Sequence, residues 1–280
     1  MEFVMSGEQK HDYHLVDPSP WPLIGAFSGL LLATGGLFFI HGKPSGSLLL
    51  IAGFASVIFT MFVWWRDVIK EGHGGHHKSL VQHGLRVGMA LFILSEVMFF
   101  FAFFWAFFKA ALAPEFVFDG SHIFEEGVKV VEGVWPLVGI ETFNAWDLPF
   151  INTLVLLLSG TTVTWAHYAL LRNDRKNLIR ALLITVLLGI SFTCLQAYEY
   201  HHAAFGFKDG IYSSNFYMAT GFHGVHVIIG TIFLAICLIR ALKGDMSPKH
   251  HLGFEFAAWY WHFVDVVWLF LFAFVYVWGS

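Results

Sequence analysis

Seven long, almost uncharged apolar segments constrain the fold of this chain more than any other feature. An α-helix needs about 20 such residues to cross the roughly 30 Å hydrocarbon layer of a bilayer. We therefore predict an all-α, polytopic membrane protein with seven transmembrane helices. The predicted spans are 22–41, 47–65, 85–111, 150–171, 178–202, 216–239 and 253–278.

The composition excludes a water-soluble globule. Hydrophobic residues make up 57% of the 280 residues and charged residues 13%, against about 45–50% and about 25% in soluble domains. The net charge of -4 offers no basic surface for nucleic acid. Cys194 and Cys237 each lie inside an apolar segment, so we predict neither a disulfide framework nor a thiolate zinc site. The N-terminal segment lacks the basic start of a secretory signal, and we expect none.

The spacing of the apolar segments divides the chain into three regions. Residues 1–70 hold an N-terminal tail and the first two helices, and 71–84 form an inner loop rich in glycine and histidine. Residues 85–280 form a bundle of the last five helices, interrupted by an outer insertion at 114–149.

The lysines and arginines predict the orientation of the chain. Twelve of the 16 fall on the side shared by the N-terminal tail and the loops after the second, fourth and sixth helices. Because these residues accumulate on the cytoplasmic side, we predict an inside N-terminus and an outside C-terminus. Seven-helix receptors have the opposite orientation, and the last span lacks the Schiff-base lysine of a retinal protein, so both classes are excluded.

Three carboxylates, Glu96, Asp265 and Glu199, fall inside predicted helices, where ionisable groups are costly and are functional candidates by default. Helix rise places Glu96 and Asp265 about 16–18 Å from the inner end, near the midplane, and Glu199 near the outer interface. Because a low dielectric disfavours a charged carboxylate, we expect Glu96 to be protonated. It either handles protons or contacts lipid, or it donates a structural hydrogen bond between helices. An interhelical hydrogen bond is favoured for Asp265, and interfacial packing for Glu199.

Three histidines, His223, His226 and His262, form a polar set close to the midplane. His226 and His262 could ligate a haem between facing helices, since helix rise places them at similar depth. The chain shows no Glu-x-x-His pattern of a di-iron bundle beside His223 and His226. We therefore predict no metal site in these helices.

A second group of histidines, His73, His76 and His77, lies among glycines in the predicted inner loop. A solvated or headgroup-facing role is favoured for them over metal binding.

Basic and aromatic residues at the inner ends of the predicted helices indicate lipid contacts. Arginine suits phosphate and tryptophan suits the membrane interface, so the residues either bind phospholipid headgroups or only anchor the topology. The candidate lipid-binding residues are Trp64, Trp65, Arg66, His77, Arg86, Arg240 and Lys243.

Two glycines in the first predicted helix, Gly25 and Gly29, have the spacing that allows close approach of a second helix. Taken alone, this spacing is a weak signal.

Several short motifs occur in one order along nearly the whole chain and resemble a known family. They are HLVDPSPWP at 14–22, WWRD at 64–67, GLR at 84–86, SEV at 95–97, TWAH at 164–167, TGFHGVH at 220–226 and WYWHFVDVVW at 259–268. Together they resemble subunit III of the haem-copper cytochrome c oxidases. The resemblance is poorest at 121–134.

The resemblance implies a proton-pumping oxidase subunit that carries no cofactor or catalytic centre of its own, with haem and copper in partner subunits. It implies packing against subunit I, association with subunit II, and support for proton uptake and stability during turnover. The implied location is the bacterial cytoplasmic membrane or the mitochondrial inner membrane. Seven spans together with Trp64 and Trp65 favour the cytochrome c branch over its quinol-oxidising relatives.

The resemblance also implies roles for particular residues. Glu96 matches a buried carboxylate that faces a phospholipid-filled cleft between the first two helices and the other five. The residues that match positions near lipid headgroups are Trp65, Arg66, His77, Arg86, Arg240 and Lys243.

Two other functions stay open on sequence grounds. One is an independent membrane cytochrome that uses the midplane histidines and acids. The other is a proton-coupled transporter, although we detect no repeat of the kind many transporters contain.

Overall fold

The computed structural model describes residues 13–16, 18–113, 135 and 140–279. Within these residues, seven helices are long and apolar enough to cross a membrane, which confirms the predicted fold class. They are α1 Trp21–Ile40, α2 Gly46–His73, α3 Ser79–Leu112, α4 Leu148–Leu171, α5 Arg175–His201, α6 Ile211–Lys243 and α7 Leu252–Leu271. A π-helical segment, Phe272–Val277, continues α7.

Local sequence explains several helix ends. Pro22 and Pro149 lie in the first turns of α1 and α4, where a missing N–H costs no helical hydrogen bond. Asp174 caps α5 through its Oδ1, which accepts a 3.1 Å hydrogen bond from the backbone N–H of Asn177. The end of α6 is followed by Gly244 at φ 82°, the left-handed conformation that commonly terminates helices.

The inner connection is shorter than predicted. We expected a loop over 71–84, but α2 continues to His73 and α3 begins at Ser79, which leaves only 74–78 between them. The residues from Arg66 to Glu71 contain no helix-breaking glycine or proline, so α2 continues past the apolar segment until Gly75, at φ 78°, ends it. The predicted outer insertion lies mostly outside the described residues, and α4 already begins at Leu148.

The chain divides into two compact units, Met1–Val87 and Gly88–Ser280, with the division inside α3. In the first unit, α1 packs against α2 at three glycines. A Cβ atom at Gly35 would lie 2.6 Å from the Cα of Leu50, and one at Gly53 would lie 2.5 Å from the Cα of Leu32. Gly46 meets the backbone of α1 in the same way. The two backbones are therefore in direct contact.

Gly25 and Gly29, whose spacing allows close approach of a second helix, lie outside this backbone contact. A Cβ at Gly29 would meet no atom within 4 Å, and one at Gly25 would make only an ordinary contact, 3.7 Å from Thr60. Spacing identifies pairs of glycines on one helix face but does not show which face meets the neighbouring helix.

In the second unit, the core lies among α4 to α7 and contains large aromatic side chains. Trp261 is fully buried, and its ring occupies space left by two glycines on neighbouring helices. A Cβ at Gly230 would lie 2.9 Å from this ring, and one at Gly189 would lie 2.8 Å from it. Many large apolar side chains elsewhere point outward, as a protein solvated by lipid requires.

Candidate functional site

A carboxyl–imidazole pair inside the second unit forms the clearest candidate site. Oε2 of Glu96, on α3, lies 2.9 Å from Nε2 of His226, on α6. The side chains are 22% and 11% exposed within the chain. The residues three and four positions away from Glu96 on α3 are apolar. Its polar partner, His226, therefore comes from another helix.

The backbone determines how protons can be distributed in this pair. Nδ1 of His226 lies 2.6 Å from the carbonyl oxygen of Phe222. A carbonyl can only accept, so Nδ1 carries a proton. The 2.9 Å contact between Nε2 and Glu96 then contains one further proton. Either a protonated Glu96 donates to a neutral ring, or a charged ring donates to a carboxylate.

Aromatic rings pack around the imidazole of His226. Phe100 contacts the His226 ring edge-on at a centroid distance of 4.9 Å, and Phe99 lies 5.9 Å away. The ring of Tyr260, on α7, is roughly parallel to that of His226 at 6.3 Å. In such surroundings a charged pair would lose part of its hydration, which is energetically costly.

The other midplane histidines make separate contacts. Nε2 of His223 donates to the carbonyl oxygen of Val264, 3.1 Å away, and joins α6 to α7. Nε2 of His262 lies 3.2 Å from the hydroxyl of Thr164 on α4. His226 and His262 thus have different partners, and the structure does not bring the predicted polar set together into one cluster.

Asp265 differs from the expected interhelical hydrogen bond. Its Oδ2 lies 3.7 Å from Nδ1 of His262 on its own helix, and its Oδ1 has no hydrogen-bond partner among the described residues. The carboxyl packs against Gly160 of α4, where a Cβ would collide with it. His262, one turn earlier on α7, makes a hydrogen bond to α4 that Asp265 does not make.

Glu199 also differs from expectation. We predicted that it reaches the outer interface, but only 2% of the residue is exposed. Its Oε1 accepts a 2.6 Å hydrogen bond from the hydroxyl of Tyr276, in the π-helical segment. The position of Glu199 near the end of α5 suggested access to water. In the structure, contact with the π-helical segment buries its carboxyl instead.

In the first unit, the predicted lipid residues lie at the end of α2 and beyond it. Trp64 and Trp65 are 38% and 55% exposed. The side chain of Arg66 is 53% exposed and lies 3.7 Å from Asp67, which also accepts a 2.8 Å bond from the indole of Trp21. Arg86 lies near the start of α3, in the same unit.

His77 lies in the short connection between α2 and α3. Burial lowers the pKa of His77, and the neighbouring rings of His14 and His76 lower it further, while Glu71 acts in the opposite direction. Its neutral imidazole is therefore favoured at neutral pH.

In the second unit, three basic residues gather at the end of α6. Arg240 is half-buried, and its Nε has no hydrogen-bond partner among the described residues. Lys243 is exposed. Arg175, from the start of α5, donates to the carbonyl oxygens of Ala241 and Leu242 at 3.2 and 2.7 Å and so satisfies the end of α6.

Sequence reasoning missed two features of these sites. It did not pair Glu96 with His226, although helix rise placed both at the same depth and this was a usable signal. It also did not assign a role to Arg175, whose contacts with α6 depend on how α5 and α6 pack.

Comparison with known proteins gives one consistent result. The family model for cytochrome c oxidase subunit III matches residues 11–280. The chain is 58% identical over 275 residues to a probable cytochrome c oxidase subunit 3 of Rickettsia bellii, covering 97% of each chain. It is 56% identical over 273 residues to cytochrome c oxidase subunit 3 of Prototheca wickerhamii, covering 97% of this chain and 99% of the relative.

A plant relative extends the same similarity. Cytochrome c oxidase subunit 3 of Arabidopsis thaliana is 53% identical over 277 residues, which cover 99% of this chain and 100% of the relative. Bacterial and eukaryotic relatives thus share nearly the full length, in keeping with the predicted bacterial cytoplasmic or mitochondrial inner membrane. The chain belongs to the cytochrome c oxidase subunit III family and so to an oxidoreductase complex of the respiratory chain.

Proposed function

We propose that this chain acts in its oxidase complex as a phospholipid-binding subunit without a redox centre. In this proposal it packs against subunit I, lies in the same complex as subunit II, and supports proton uptake and stability during turnover. Its N-terminus faces the inside of the membrane, as the distribution of basic residues predicts.

The observation that carries the lipid proposal is the guanidinium of Arg240. This side chain is half-buried at the end of α6, and its Nε lacks an acceptor among the described residues. A desolvated guanidinium N–H without a partner is unfavourable, and a phosphate oxygen is a strong acceptor for it. Lys243 adds a second positive charge one turn later.

The first unit supports the same role. Trp64 and Trp65 are exposed beside Arg66, where α2 continues past its apolar segment. Exposed indole rings are enriched at the membrane interface because they combine an apolar body with one N–H donor. Trp64, Trp65, Arg66, His77 and Arg86 form the proposed headgroup contacts of this unit.

The contacts of the midplane histidines favour a subunit without haem. An axial ligand must offer a ring nitrogen to iron. Both nitrogens of His226 already take part in hydrogen bonds, at 2.6 and 2.9 Å. Haem binding by His226 and His262 would therefore require breaking the contact with Glu96 or with Phe222.

The Glu96–His226 pair supports a role in proton handling. It contains one proton that can lie on either partner, and partly exposed atoms give it access to the surroundings. If Glu96 has only a structural role, Glu96→Gln should be tolerated, because the amide can make the same hydrogen bond. If Glu96 handles protons, Glu96→Gln should impair proton uptake, because the amide has no exchangeable acidic proton.

The lipid proposal can be tested on the purified oxidase complex. We expect Arg240→Ala to lower the phospholipid retained per complex, as measured by lipid mass spectrometry, and to hasten the loss of activity during turnover. Arg172→Ala is the matched control, since Arg172 is an exposed arginine that follows α4. Equal lipid content in the wild type and Arg240→Ala would contradict the proposal.

Partners and cofactor are tested by copurification. A tag at the C-terminus should bring down subunits I and II of the oxidase, and the isolated full chain should show no haem Soret absorbance. Recovery of the chain alone, or haem absorbance that His226→Asn removes, would favour the independent cytochrome.

A further inference from the structure

We propose that His14, Glu71 and His77 form a binding site for a divalent transition-metal cation of the zinc class. All three residues belong to the first unit. Each offers one ligand atom, and these atoms lie within 4.8 Å of one another. Nδ1 of His14 is 4.0 Å from Oε2 of Glu71.

The local chain geometry explains how residues so distant in sequence meet. Glu71 lies in the last turn of α2, and the turn at Gly75 brings His77 back toward that helix end. Gly72 leaves the space for this return, since a Cβ there would lie 3.2 Å from Nδ1 of His77. His14 reaches the same place from the segment that precedes α1.

Neighbouring groups hold the ligands in place. The ring of His76 stacks on that of His14 with a centroid distance of 4.8 Å and an interplanar angle of 17°. The side-chain amide of Gln82 donates a 3.0 Å hydrogen bond to the carbonyl oxygen of His77. These contacts restrict the ring of His14 and the backbone of His77, and so lower the entropy cost of binding an ion.

The donor set matches the chemistry of zinc. Two imidazole nitrogens and one carboxylate oxygen are an established zinc ligand combination, with a fourth position left for water. Bonds of about 2.0–2.2 Å in a tetrahedron place ligand atoms roughly 3.3 Å apart. The present separations require each side chain to move by about 1 Å, which rotation about the side-chain bonds of His14 and Glu71 can supply.

This inference rests on observations other than those that carry the lipid proposal, and it reassigns one residue, His77, from a headgroup contact to a metal ligand. Sequence analysis favoured a solvated or headgroup-facing His77 because neither His14 nor Glu71 was known to lie beside it. In the folded unit, the three ligands are half-buried, with side-chain exposures of 13% for His14 and 32% for Glu71. Partial burial strengthens the attraction between a cation and the Glu71 carboxylate.

The test is zinc binding to the purified oxidase complex that contains the full chain. Equilibrium dialysis with radioactive zinc would compare the wild type with His14→Asn and His77→Asn. We expect each variant to lose one tight zinc equivalent per complex, or to bind it more than about tenfold more weakly. His73→Asn is the matched control, because His73 is an exposed histidine at the end of α2 outside the ligand set.

X-ray absorption at the zinc edge provides a second readout, with scattering from two imidazole ligands expected in the wild type and from one in any zinc that a variant retains. Equal zinc stoichiometry in the wild type, His14→Asn and His77→Asn would overturn the proposal, as would the same loss in His73→Asn. Phospholipid analysis of the same samples separates the two roles of His77. Lost lipid with unchanged zinc in His77→Asn would assign the residue to a headgroup and also overturn the metal site.

Discussion

The α1–α2 hairpin and the α4–α7 bundle use glycine for different purposes. In the hairpin, Gly35, Gly46 and Gly53 bring one helix backbone against the other. In the bundle, Gly189 and Gly230 make room for a side chain, the ring of Trp261, whose indole N–H then donates a 2.9 Å hydrogen bond to Ser159. The hairpin thus packs by backbone contact, and the bundle packs by large aromatic residues that carry polar groups.

This difference shows two ways in which helices associate where lipid removes the hydrophobic driving force. Close approach of two helix backbones gains dispersion contacts. It does not depend on side-chain polar groups that could be left without a hydrogen-bond partner. Buried side-chain bonds such as Trp268 to Thr153, at 2.9 Å, specify one arrangement of helices but make each missing partner costly. We expect the two regions to respond differently to substitution.

The largest effect is expected in the hairpin. Gly53→Ala places a Cβ 2.5 Å from the Cα of Leu32, and a backbone atom cannot move aside without separating the helices. We expect a loss of about 3 kcal/mol in the stability of the hairpin. A titration with SDS, followed by far-UV circular dichroism, measures it.

The matched control is Gly29→Ala, where a new Cβ meets nothing within 4 Å. Alanine there should be neutral or raise helix stability by up to about 1 kcal/mol. Equal destabilisation by Gly53→Ala and Gly29→Ala would contradict the claim that backbone contact at Gly53 stabilises the hairpin.

A smaller effect is expected from a buried polar contact in the bundle. Tyr276→Phe removes the donor at 2.6 Å from Oε1 of Glu199, whose Oε2 already lacks a partner among the described residues. We expect a cost of about 1–2 kcal/mol for the unsatisfied carboxyl. The double variant Tyr276→Phe with Glu199→Leu should recover part of it, and strict additivity in thermal unfolding would argue against the coupling.

Glu96→Gln is expected to have a still smaller effect. If Glu96 is protonated, an amide N–H can donate to Nε2 of His226 in its place, and stability should change by less than about 1 kcal/mol. If the pair is charged, the variant leaves a buried imidazolium alone, at a cost of about 3–5 kcal/mol. Infrared difference spectra should show a protonated carboxyl band in the wild type that Glu96→Gln lacks.

The smallest effect concerns the water-exposed start of α5. Hydrogen bonds from the backbone and side chain of Asn177 lower the pKa of Asp174 from its ordinary value of 3.8. The cap is therefore fully effective above about pH 4 and weakens as the pH falls through the lowered pKa. Hydrogen exchange at the Asn177 amide should speed up in acid, and Asp174→Asn should remove that pH dependence while retaining the cap.

Sequence reasoning found most of the fold and only part of the candidate sites. The apolar segments predicted all seven helices, with ends within a few residues at α1 and α4. The largest difference was the inner end of α2, since helix propensity and not apolar length decides where a helix stops in water. Depth was predicted for Glu96 and His226, but rotation about the helix axis decides whether two residues at one depth meet.

Hydrophobicity alone determined that this chain crosses a bilayer seven times, because each apolar segment must satisfy its backbone hydrogen bonds within itself as a helix. Motif order along the chain likewise sufficed to identify its family. Only the tertiary structure decided the polar contacts: that Glu96 meets His226, that Glu199 is enclosed by Tyr276, and that His14, Glu71 and His77 gather at one point. These contacts depend on which helix faces turn toward each other and on how short connections bend, and a one-dimensional pattern contains neither.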